Sequence, residues 1–147
     1  MCAEEGECVA AAIVNAVDIL QGRASAERAK QYLLETGRHA RSIASCARDI
    51  ENLCPGYDLR KIPRDSFDGF RRDKVKWISS LDHGLWIVRF LRSDLFDHCI
   101  VVDGTRRVIL DSAESHCLPL NVESLHHCAG GSLKKVAIAE VRLICPA

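Results

Sequence analysis

The chain reads as an α+β domain, and three observations carry that reading. Small and aliphatic residues at helical spacing fill its first third, as in "CVAAAIVNAVDIL". From Leu85 onward, β-branched runs separated by turn residues take over. Helices first and strands afterwards is the order of an α+β fold. The 147 residues are enough for a single domain, 1–147, with its own core. Its 27% charged residues sum to a formal net charge of zero, so no basic excess points to nucleic acid.

Taken in order, residues 8–21 form the first expected helix, with Cys8, Ala12, Ile13, Ala16, Ile19 and Leu20 near helical spacing and Gly22 as its stop. A second is expected over 26–36, between Ser25 as N-cap and Gly37. The third, about 43–53, has Ser42 as cap and Ile43, Cys46, Ile50 and Leu53 on its inner face. "CPGYD" (54–58) is a turn cluster, and a fourth helical stretch covers about 66–80. Strands are expected at "LWIVRFL" (85–91), "HCIVVD" (98–103), "RRVILD" (106–111) and "KKVAIAEVRLIC" (134–145). Between the last two, "NVESLHHCAGG" reads as a short helix capped by Asn121 and stopped by Gly130.

The first helix is broken by Asn15 and Asp18 and is too short to span a bilayer, so no membrane association is expected. The opening Met1-Cys2-Ala3-Glu4-Glu5 has no basic start and no signal-peptide run. A cytoplasmic location with reduced thiols is therefore expected for the eight cysteines. Cys8, Cys46, Cys99 and Cys145 sit inside apolar runs, where cysteine serves as a small hydrophobe.

Cys8 has a second reading. A thiol attacks as the thiolate, and a cysteine at a helix start has its pKa lowered, further so beside a histidine. His98 and Asp111 are the residues that register brings together. With Gly104-Thr105 as a two-residue turn, or with a four-residue loop from Asp103 to Arg106, His98 faces Asp111. With Asp103-Gly104 as the turn, His98 faces Ile109 and Asp111 is its diagonal neighbour. Either way the imidazole and the carboxylate share a face, while Cys99 and Val101 lie on the other. Singly, Cys8 reads as a core thiol, His98 as a strand-edge histidine and Asp111 as a turn residue; jointly they make a nucleophile, a base and its orienter.

The other candidates carry less. His39 and His83 sit in polar turns. His116-Cys117 and His126-His127-Cys128 offer zinc-type ligands, but their spacing matches no common finger and a surface position explains them. Trp77 and Trp86 read as core or rim packing. Arg71-Arg72 with Lys74 and Lys76, and Arg106-Arg107, read as solvated faces without the aromatic interleaving of a nucleic-acid surface.

"GEC" opening an apolar helix, then "HCIVVDG", then "RRVILDS", resembles the papain-like cysteine peptidase superfamily in residue type and chain order. "EGEC" is also similar to the Asp-Gly-x-Cys of ovarian-tumour deubiquitinases, with Glu5 in place of the Asp. That family usually has an aromatic residue after its histidine, whereas Cys99 follows His98 here, so the resemblance stays at superfamily level. It implies a papain-like domain, N-terminal helices packed on a C-terminal antiparallel sheet, with Cys8 as nucleophile, His98 as base and acid, and Asp111 as orienter. It implies hydrolysis of peptide or isopeptide bonds in a protein or peptide substrate, such as a ubiquitin-like tail or a polyprotein junction, with no metal or organic cofactor. The superfamily's upstream Gln or Asn has no counterpart from Met1 to Glu7, leaving backbone N–H groups of Cys8 and of the loop Glu5–Glu7 as the expected oxyanion donors. The alternative is a catalytically inactive module of the same fold that binds a protein or peptide.

Overall fold

In the computed structural model the described residues are 8–36, 50, 52–63, 74–91, 97–130 and 137–146. They form an α+β domain in which one six-stranded antiparallel sheet has helices on both faces. The elements are α1 (Cys8–Gln21), α2 (Arg23–Glu35), β1 (Tyr57–Lys61), α3 (Lys74–Ser79), β2 (Leu85–Leu91), β3 (Asp97–Asp103), β4 (Val108–Leu110), β5 (Leu118–Pro119), α4 (Val122–Cys128) and β6 (Ala137–Pro146). The strand order is β1-β6-β2-β3-β4-β5, so the last strand is inserted between the first two.

α1 ends where its apolar spacing indicates, and its small residues let it lie close to the sheet. Ala11, Ile13, Ala16 and Val17 are fully buried, and α1 packs on β3. With α2 it covers one face through Ala26, Ala29 and Leu33, over Leu85, Ile87, Cys99, Val101 and Ile144. The opposite face is Trp86, Val88, Phe90, Ile100, Val102 and Ile109, covered by Ile78 of α3 and Leu125 and Cys128 of α4. Each fully buried aliphatic side chain here contributes roughly 1.5–3 kcal/mol. The two-sided covering explains why residues 85–88 of β2 and 99–102 of β3 are apolar runs buried on both faces rather than alternating.

α2 starts three residues before the expected position. Gly22, at φ 91°, is both the end of α1 and the N-cap of α2, a conformation that glycine adopts without strain. Ser25 is therefore not a cap: it lies inside the helix and accepts a hydrogen bond from Arg28. Thr36 is the C-cap, and Gly37 lies outside the described residues, as do His39, Ser42, Ile43, Cys46 and Arg71-Arg72. Of the expected third helix, the described part is its end, where the Cys54 N–H donates to the Ile50 carbonyl. Of the fourth, it is α3.

Two strands escape sequence reading. β1, "YDLRK", buries only Leu59, because as an edge strand it is held by backbone pairing to β6 rather than by alternation. β5 has two residues. In β6, one extra residue, Ala139, falls between the partners of Arg89 and Phe90. This bulge puts Ile138 on the same face as Val141, which simple alternation would not do.

The hairpin between β3 and β4 departs from every register considered for it. Its loop is Gly104–Arg107, and Asp103 pairs with Val108. The Asp103 carboxylate accepts the Arg106 N–H at 3.0 Å, and Arg107 takes the left-handed conformation at φ 59°. Gly104 is required by close approach, since a Cβ there would run into the His83 carbonyl. Arg107 is also not merely a solvated cation: its guanidinium donates to the carbonyls of Ser79, Leu81 and Leu120, tying α3 to β5. Among the described residues no helix is long and apolar enough to cross a membrane.

Candidate active site

Cys8 lies in the first turn of α1, His98 is the second residue of β3, and Asp111 follows directly after β4. Antiparallel pairing brings the start of β3 and the end of β4 to one end of the sheet. Because Val101 pairs with Leu110, continuing the register sets Asp111 level with Ile100 and diagonal to His98. The true register differs from the expected ones by an even number of residues, so the shared face survives. His98 Nε2 lies 2.9 Å from Asp111 Oδ1, with the two side chains 9% and 3% exposed.

Asp111 is held from three sides. Burial pushes its carboxyl up, but hydrogen bonds from His98 and the Ala113 N–H, the charge of the imidazole, and the Cys128 thiol outweigh this and hold it below its usual range. The Ala113 N–H donates to Oδ1 at 3.0 Å. This carboxylate therefore stays ionised and acts as an acceptor that fixes the imidazole.

His98 is hydrogen-bonded to Cys8 as well as to Asp111. Strand alternation places His98 on the α3–α4 face and Cys99 on the α1 face. Cys8 meets both because β4 stops opposite Val101, and His98, Cys99 and Ile100 run on beyond it. The Cys8 thiol is lowered to about 4. The largest cause is a hydrogen bond from the Cys99 side chain; burial opposes it, and the His98 hydrogen bond, the Cys99 backbone N–H and the His98 charge add to it. A thiol so placed is a thiolate at neutral pH. By contrast Cys54, buried without such donors, has its thiol pushed up.

The structure brings together all three residues singled out in the sequence. It adds two that were not: Cys99, read only as a small hydrophobe, and Cys128, read as surface. Both are 1% exposed. The available signal for Cys99 was its place directly after His98, on the face toward the helix that carries Cys8. For Cys128 it was the spacing of three from Leu125, which shares its buried face. His127 pairs instead with Glu114 near the surface, and among the described residues no three potential metal ligands cluster. Trp86 is core, edge-on to Trp77 at 6.0 Å, with its Nε1 donating to the His83 carbonyl. The loop Glu5–Glu7 lies outside the described residues.

A cavity of about 160 Å³ is lined by Asn15 of α1, Leu110, Asp111, Ser112 and the segment from Glu114 to Cys117. Neither Cys8 nor His98 lines it, so it is not where a bond attacked by Cys8 would sit. No protein-family model, curated protein or solved structure matches the chain.

Proposed function

We propose that the chain is a papain-like, cysteine-dependent hydrolase of peptide or isopeptide bonds. The observation that carries this is the relay Cys8–His98–Asp111, in which the imidazole is hydrogen-bonded both to the Cys8 thiol and to a buried carboxylate. Cys8 thiolate attacks the carbonyl carbon, and the developing oxyanion is met by backbone N–H groups, that of Cys8 among them. His98 protonates the leaving amine, giving a thioester. The same imidazole then takes a proton from water, which attacks the thioester and releases the acid. Asp111 keeps the imidazole oriented and stabilises its charged form throughout. A protein or peptide that presents the scissile amide fits this chemistry, and a reducing, cytosol-like compartment fits the free thiols.

The test is labelling of Cys8 by iodoacetamide between pH 4 and 9, located by mass spectrometry, in the parent and in His98→Ala. Fast labelling at mildly acidic pH that collapses in the variant supports the thiolate–imidazolium pair. Release of a fluorophore from peptide and ubiquitin-tail amides, absent in Cys8→Ala, then assigns the reaction. A second reading, a binding module that has kept the fold, draws on the burial of Cys8, which is 7% exposed. A Cys8 that titrates like an ordinary thiol in both proteins would decide for it.

A further inference from the structure

Cys99 has no step in that mechanism, yet its side chain and its backbone N–H are both hydrogen-bonded to Cys8. We propose that Cys8 and Cys99 are a redox pair, in which a hydroperoxide converts the nucleophile into a Cys8–Cys99 disulfide and so switches the site off reversibly. This rests on the reading of Cys8 as a reactive thiolate.

The geometry favours this pairing over others. Cys8 and Cys99 belong to one buried cluster, on the face where α1 packs on β3. Forming the bond requires the two sulfurs to close from hydrogen-bond contact to the roughly 2 Å of a disulfide. Cys128 lies on the opposite face of the sheet, against Asp111. Cys54 belongs to the same cluster as Cys8, but the groups hydrogen-bonded to the Cys8 thiol are Cys99 and His98.

The chemistry balances with the peroxide as the only oxidant. Cys8 thiolate attacks the terminal peroxide oxygen; an S–O bond forms, the O–O bond breaks, and the departing alkoxide takes the His98 imidazolium proton to leave as alcohol. Cys8 is now a sulfenic acid. The Cys99 sulfur attacks the Cys8 sulfur as its proton passes to the departing hydroxide, which leaves as water. The two sulfurs have together lost two electrons and the peroxide has gained them. A small thiol reductant reverses the step by thiol–disulfide exchange.

The experiment treats the whole chain with a small excess of hydrogen peroxide, blocks remaining thiols and digests without reduction. Trypsin with a glutamyl endopeptidase separates Cys2 from Cys8 by cutting after Glu7. The expected result is a Cys8–Cys99 cross-linked peptide, and a fall of about tenfold or more in Cys8 labelling that dithiothreitol restores. In Cys99→Ala the same treatment should carry Cys8 to the sulfinic acid, and labelling should stay lost. Two results overturn the proposal alone: Cys8 labels fast at about pH 5 but goes to sulfinic acid in the parent chain, or it links to Cys54 or Cys128 instead. A Cys8 inert to both iodoacetamide and peroxide overturns the thiolate reading and this inference with it. Cys99→Ser, tested for folding by circular dichroism, stands in if the alanine variant does not fold.

Discussion

Two histidine–aspartate pairs in this molecule have nearly the same geometry and very different surroundings. His83 Nδ1 lies 2.7 Å from Asp82 Oδ1, but their side chains are 78% and 85% exposed. His98 and Asp111 are 2.9 Å apart and almost wholly enclosed. Water screens the first pair and leaves it little energetic weight. The second has no such screening, and it has a thiol on its far side and a backbone N–H and a thiol behind its carboxylate. The contact alone does not make a site; enclosure and the third partner do.

The sharpest way to break that contrast is to remove one histidine at a time. His98→Ala is expected to slow Cys8 labelling at mildly acidic pH by ~10²-fold or more, whereas His83→Ala should leave it unchanged, by mass-spectrometric rates. Next comes the carboxylate. Asp111→Asn keeps the shape but loses the charge that holds the imidazolium, so labelling should fall by roughly 10–10²-fold, while Asp82→Asn should again do nothing.

The pH dependence sharpens the same comparison. Cys8 reactivity should be present above a midpoint near 4 and lost below it, where an ordinary thiol titrates near 9. Since Asp111 is depressed on folding, its contribution to stability is present above 3.8, the ordinary carboxylate value, and lost as pH falls through its lower folded value. Urea unfolding of the parent should therefore lose more stability on acidification than that of Asp111→Asn. The smallest effect is expected behind the carboxylate. Cys128→Ala removes one donor to Asp111 and should cost about 1–2 kcal/mol by thermal unfolding, with a modest slowing of Cys8 labelling.

Much of this was legible in the chain itself. The end of α1 is readable to the residue because a run of small and aliphatic side chains has one periodicity and a glycine to end it. Asn121 was readable as a cap for a local reason, its carboxamide accepting the Ser124 N–H at 2.8 Å. β1 was not, because an edge strand with one buried residue is defined by its partner β6, which comes more than seventy positions later. The hairpin register differs from the expected ones because the Asp103 carboxylate and the left-handed Arg107 extend the loop, and neither announces itself in composition.

For the candidate site the division is similar. The chain alone dictates that Cys8 lies in an apolar helix, that His98 lies in a strand, and that His98 and Asp111 share a face, since any register shift by two preserves it. Only the tertiary structure decided that a residue from each face of the sheet could meet at Cys8. That depends on where β4 stops: short of His98, beyond which Cys99 on one face and His98 on the other both reach the thiol of α1. Strand alternation is a local rule, but the place where a neighbouring strand ends is set by the packing of the whole sheet.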